Sequence, residues 1–153
     1  MVRLTILGMA VVMAASTAFA ARLKLAADSP ADDHQLLADG FAPFDDQAAK
    51  DGWAAVTPDP AYLTAGTGKP TGAPLTLKPG AYRVVVLCGC NMMEVTLLRP
   101  DNSPVAAERS DDRRAMYSLD VPTAGAYLTG IDMDDCPKLE CAIGVKVYRK
   151  AGD

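Results

Sequence analysis

The chain has 153 residues, half of them apolar, a formal net charge of −4 and a single histidine. That length suits one domain with a sizeable core, and the apolar half excludes wholesale disorder. An acidic chain without a basic stripe is not built to hold a polyphosphate backbone, so no nucleic-acid partner is expected.

Residues 1–20 read as a signal peptide. Arg3 supplies the positive start, Leu4 to Ala15 the apolar run, and Ala18-Phe19-Ala20 the small-x-small pattern a signal peptidase cuts. The competing reading is an uncleaved anchor, but Leu4 to Ala21 is short for a span and carries Thr5, Ser16 and Thr17. No later segment is apolar enough to cross a membrane. The cleaved chain is therefore expected to be periplasmic or secreted, with no membrane span and a net charge of −5 once Arg3 is lost.

Residues 21–74 read as an acidic, partly helical segment followed by a Pro/Gly-rich linker. Eight aspartates and one lysine (Lys50) lie between Asp28 and Asp59, a pattern expected of a solvated face. Ser29 can cap a helix, Pro30 fits its first position, Asp32 and Asp33 suit the positive end of the dipole, and Gly40 can stop it. Leu36 and Leu37 would be its buried contacts. A second, weaker turn is expected from Asp45 to Asp51, stopped by Gly52. Phe41, Phe44 and Trp53 would pack around it as a lid; left exposed, the same rings would make a ligand platform. Thr57 to Pro74 is rich in turn formers and reads as turns and extended chain.

From Leu75 onward the pattern changes to period two, the signature of half-buried strands. Tyr82, Val84, Val86, Cys88 and Cys90 share one face. So do Met93, Val95 and Leu97; Tyr117, Leu119 and Val121; Tyr127, Thr129, Ile131 and Met133; and Cys141, Ile143, Val145 and Val147. Short strands with frequent turns predict an all-β fold, an antiparallel β-sandwich of jelly-roll type over 75–150, behind a short helical segment. Two stretches organise it. Gly80 to Leu98 and Gly125 to Tyr148 each run Gly-Ala-Tyr, strand, cysteine-bearing tip and returning strand, and read as two hairpins whose tips reach the same end.

Residues 75–149 resemble the bacterial pre-peptidase C-terminal domain. The resemblance is carried by Leu77-Lys78-Pro79-Gly80-Ala81-Tyr82-Arg83-Val84, by Val95 through Asn102, by Val121-Pro122-Thr123-Ala124-Gly125-Ala126-Tyr127 and by the closing strand Ile143 to Tyr148. It implies a jelly-roll-like, non-catalytic module for binding, adhesion or assembly, sometimes with calcium in its loops. Asp132, Asp134 and Asp135 are the calcium candidates, since that cation takes several loop carboxylate oxygens.

All four cysteines sit at the two tips: Cys88, Cys90, Cys136 and Cys141. An even number in an exported chain predicts two disulfides. A bridge from Cys88 to Cys90 would close a very small ring, so one of the two crossed arrangements between the tips is expected. The alternative is a periplasmic metal-handling protein in which the four thiols, with Met92 and Met93, hold copper or zinc.

No nucleophile–base constellation can be assembled around the lone His34, which reads as a surface residue, and Glu94 and Glu140 are unconnected candidates for a carboxylate pair. Arg113 and Arg114 can dock an anionic partner. The sequence thus reads as an exported, non-enzymatic binding module stapled by two disulfides, with a protein or envelope glycan as partner.

Overall fold

The computed structural model describes residues 31–152, so the signal-peptide reading and the Ser29-Pro30 cap lie outside the described residues. One helix, α1 (Ala31–Lys50), precedes nine strands: β1 (Trp53–Ala55), β2 (Ala61–Ala65), β3 (Thr71–Leu77), β4 (Gly80–Cys88), β5 (Met92–Leu98), β6 (Pro104–Ser110), β7 (Arg114–Val121), β8 (Gly125–Asp135) and β9 (Cys141–Lys150). All pairings are antiparallel, in two sheets. One sheet runs β1-β9-β4-β7 with β2 also on β9; the other runs β3-β8-β5-β6. Setting short β1 aside, these are the two strand orders of a jelly roll, so the expected antiparallel sandwich is what forms. The strands begin upstream of Leu75: part of the expected linker is β2 and β3, each edging one sheet.

The period-two faces explain the core. Val84, Val86, Val95, Leu97, Ile131, Met133, Ile143 and Val145 fill the space between the sheets and are at most 2% exposed. Tyr117 on β7 and Thr129 on β8 share a hydroxyl hydrogen bond of 3.1 Å across this core. Burial pushes the Tyr117 phenol from 10.0 up to about 12; Glu108 adds to the rise and the Thr129 bond opposes it. Below pH 10 the phenol is neutral in both folded and unfolded chains. Between 10 and about 12 the unfolded chain releases the proton that the folded chain retains. Tyr117 should therefore lower stability by up to about 1.4 kcal/mol per pH unit as pH climbs through that window, and Tyr148, whose phenol is also raised, adds to the fall. Urea midpoints across the window test this, and midpoints that stay level through it would refute the assignment.

The two Gly-Ala-Tyr stretches are arches rather than hairpins. β4 does not pair with β5, nor β8 with β9; each stretch carries the chain from one sheet to the other, and the arches stack as β4 on β9 and β5 on β8. Alternation cannot distinguish the two, because both put the apolar face of each strand on the same core. Stacking brings both bends to one end, where the Gly89 amide donates to the Ala142 carbonyl at 2.9 Å and the Asn91 amide to the Asp135 carbonyl at 2.8 Å.

There the cysteines form two disulfides, Cys88–Cys90 and Cys136–Cys141, so the crossed pairing is corrected. Cys88 lies opposite Ile143 and Cys141 opposite Ala65, so the register sets neither β-strand cysteine against a cysteine of the other bend. Each bend instead turns its own pair to Cα separations of 5.2 and 5.9 Å, within disulfide reach. Such short loops constrain the unfolded chain weakly, about 2 kcal/mol per bridge against about 4 for a crossed bridge. Reduction should lower Tm on the order of 10–15 °C. Trypsin without reductant should release residues 84–109 unlinked and residues 115–138 joined to 139–146; one species joining all three would restore the crossed pairing.

Helix α1 lies on the outer face of the five-stranded sheet. It runs through Gly40 and Pro43 and stops at Gly52, whose φ is +73°. Gly40 does not end the helix; it lets it approach the sheet, since a Cβ there would stand 3.0 Å from Leu87. Opposite, a Cβ on Gly144 would meet the Phe41 ring at 2.7 Å, so the bare backbone of β9 is the seat for that ring. Leu37, Phe41 and Ala48 form a second core with Val85, Leu87, Ala142 and Tyr148, with Phe44, Trp53 and Tyr62 packed against it. The aromatic lid is thus present. Leu37 is buried as expected, whereas Leu36 is 70% exposed.

Candidate binding cleft

The acidic segment is more than a solvated face, because three of its aspartates fasten α1 to the rest of the fold. Asp45 takes Lys146 at 2.8 Å and the Tyr148 hydroxyl at 2.9 Å. Asp51 pairs with Arg83 at 3.5 Å, and Asp33 with Lys138 at 3.0 Å. Burial, then the hydrogen bond and charge of Asp45, push the Tyr148 phenol well above its ordinary range. Lys146 on β9 is buried, its ammonium 5.9 Å from the Phe41 ring centre and 6.0 Å from that of Tyr148.

The helix covers β9 and part of β4 but leaves the outer face of β7 open. Between α1 and β7 runs a cleft of about 590 Å³, within the size range of small-molecule sites. Its sheet side is Val85, Leu87 and Met116; its helix side is Leu36, Gly40, Pro43 and Phe44. Met116 is 46% exposed, and it and Leu36 are the large apolar side chains this wall leaves to solvent. From Leu36 to Gln47 the helical wall extends about 16 Å.

Arginines stand at both ends. Arg83, beside Asp51, stacks 4.7 Å from the Trp53 ring centre, and its buried Nε has no hydrogen-bond partner. At the disulfide end, Arg114 is held by Asp112 through two contacts of 2.7 Å. Arg113 adopts φ +59°, its carbonyl accepting from the Cys88 amide at 3.0 Å, and its guanidinium donates to the neutral Oδ1 of Asn91 at 3.1 Å. A second cavity of about 420 Å³ continues past Arg113 to Pro137, Lys138 and Cys141. The sequence singled out Arg113 and Arg114. The apolar trough was not legible there, since it is made by α1, β4 and β7, elements distant in sequence that no pattern links.

The other candidate residues do not converge. Asp132, Asp134 and Asp135 lie along β8 instead of in a loop. Asp134 pairs with Arg109 at 2.6 Å and Asp135 accepts from the Asn91 amide group at 2.9 Å. Among the described residues no cluster of three His, Cys, Asp or Glu could hold a metal. Cys88, Cys90, Cys136 and Cys141 are all bridged, so none offers a thiolate. Met93 is buried in the sandwich core, while the sulfur of Met92 accepts from Arg109 at 3.2 Å, so the two do not form one soft-ligand set. His34 stacks on Tyr62 at 4.4 Å between ring centres, half-buried rather than on the open surface, and its buried Nε2 has no partner. Glu94 sits on β5 beside Arg109, at 3.9 Å, and Glu140 lies in the exposed β8–β9 bend. No base stands next to a nucleophile among the contacts of these residues.

No family model matches the chain, and no curated protein matches it. Among solved structures, it is similar to the CBM22-1–GH10 modules of the N-terminal endo-1,4-beta-D-xylanase 10B of Clostridium thermocellum, complexed with xylohexaose. The TM-score is 0.37 and the identity 15%, over 67% of this chain and 27% of that one. This chain therefore spans about a quarter of the xylanase chain it matches.

Proposed function

We propose that the protein is an exported, non-catalytic binding module whose ligand site is the cleft between α1 and β7. The observation that carries this reading is the cleft itself: an apolar trough of ligand size, walled by a clamped helix and a sheet, with Leu36 and Met116 left open to it. Two disulfides support an oxidising compartment, and with it the signal-peptide reading of residues 1–20. The resemblance of residues 75–149 to the pre-peptidase C-terminal domain supports a binding role over a catalytic one. A glycan partner would want exposed aromatic rings. Phe41 is 1% exposed, and Trp53 is held between Arg83 and Lys150, at 4.7 and 5.2 Å. An apolar or amphipathic ligand fits better.

Methionine-methyl NMR of the purified protein tests the site. Met116 lines the cleft, Met92 lies on the other sheet as an internal control, and Met93 and Met133 report the core. During titration with a panel of apolar and amphipathic fragments, Met116 should shift and Met92 should not. If no fragment shifts Met116 selectively, the cleft is not the site.

A further inference from the structure

Resting on that reading of the cleft, the charges around it name a ligand class. We propose that the cleft takes a single-chain amphiphile with a carboxylate head, its head on Arg113 and its chain along Leu36, Phe44 and Met116.

Most cations around the cleft are already paired. Arg83 faces Asp51, Arg114 is held by Asp112, and Lys138 in the adjoining cavity is held by Asp33. Arg113 has no carboxylate partner among the described residues; its contact is the neutral amide oxygen of Asn91. It stands where the two cavities meet and lines both. A guanidinium offers five donors in a plane that matches a carboxylate, so an anionic head there would complete what Asn91 leaves open. From that point the trough runs along the helix with no further charge until Asp51 and Arg83 at the far end. Leu36, Pro43, Phe44 and Met116 line this interval above the buried Val85 and Leu87, an apolar run suited to an alkyl chain. Binding would cover Leu36 and Met116, which are exposed at 70% and 46%. With Arg114 neutralised by Asp112, a cationic head would meet the unpaired Arg113 guanidinium and be repelled, and a neutral one would leave that guanidinium as it is.

The test uses three probes of equal chain length below their micelle concentrations: dodecanoate, dodecanol and dodecyltrimethylammonium. They are titrated by calorimetry and by methionine-methyl NMR into the wild-type protein and Arg113→Gln. The expected result is saturable dodecanoate binding that shifts Met116 but not Met92, with the ammonium probe at least tenfold weaker. Arg113→Gln should weaken dodecanoate about tenfold or more and leave dodecanol unchanged. If all three probes shift Met116 alike, or if Arg113→Gln binds dodecanoate as the wild type does, the carboxylate inference is wrong while the cleft remains a binding site. If no probe shifts Met116, the cleft reading falls with it. A fourth arm uses vesicles of phosphatidylglycerol: association with vesicles and no response to monomeric dodecanoate would make this an anionic membrane surface and overturn the proposal.

Discussion

Phe41→Ala should destabilise the protein by about 3–5 kcal/mol, the usual cost of emptying a buried phenylalanine site. The ring is 1% exposed and sits over Gly144, where its nearest carbon is 2.7 Å from the position a Cβ would take. Backbone on one side and helix on the other leave little room for collapse, so the cavity should persist. The effect is also specific in place. The sandwich core between the sheets contains no α1 residue, whereas the outer core depends on Leu37, Phe41 and Ala48. Loss of Phe41 should therefore raise amide exchange in α1 and on β9 much more than on β5 and β8. Gly144→Val attacks the same seat from the opposite side and should cost about 1–3 kcal/mol by overpacking, with φ there posing no obstacle. Urea denaturation of both variants checks the pair. A Phe41→Ala protein within 1 kcal/mol of wild type would mean that α1 is not seated as described.

Asp45→Ala should cost about 2–3 kcal/mol, because it strands two buried partners together. Lys146 is 6% exposed along its side chain and has its ammonium 2.8 Å from the carboxylate, and the Tyr148 hydroxyl donates to it at 2.9 Å. Asp45 itself is 41% exposed, so water can reach part of the vacated space, which holds the cost below that of a fully enclosed pair. Lys146→Met should be much milder, within about 1 kcal/mol of wild type. It removes the desolvated charge, fills the same length with apolar atoms beside Phe41, and leaves Asp45 open to water and still bonded to Tyr148. The asymmetry is the informative quantity. Equal losses in the two variants would mean that the pair stabilises as a simple ion pair and that burial of the ammonium carries no penalty.

How much of this was legible in the sequence follows from what period two reports. Alternation assigned the core faces of β4, β5, β7, β8 and β9, because side-chain direction in a strand is set by parity alone. Parity says nothing about which strand is the neighbour. The Gly-Ala-Tyr stretches therefore read as hairpins although they are arches; their bends do meet at one end as expected, but each closes its own cysteine pair instead of a crossed one. Gly40 and Pro43 are helix breakers by propensity. They lie inside α1 because Phe41, Leu37 and Ala48 bury a stripe against the sheet, and that tertiary contact outweighs the local cost. The aspartates looked like a solvated face because their partners Arg83, Lys138 and Lys146 are 32 to 105 residues away. Arg113 was legible as a candidate cation. The trough beside it was not, since it exists only once the helix leaves β7 uncovered.

The central claim is that α1 is clamped on the outer face and leaves a cleft against β7. One nuclear Overhauser spectrum of the purified protein, with labelled Leu and Met methyl groups, tests it most directly. The expected result is strong contacts from the Phe41 ring to the Gly144 α-protons, together with contacts from the α1 leucine methyls to Leu87. Met116 methyl should show contacts to cleft-lining residues and none to Met92. Absence of every Phe41–Gly144 contact, with coil-like shifts for residues 31–50, would contradict the clamped helix and remove the cleft with it.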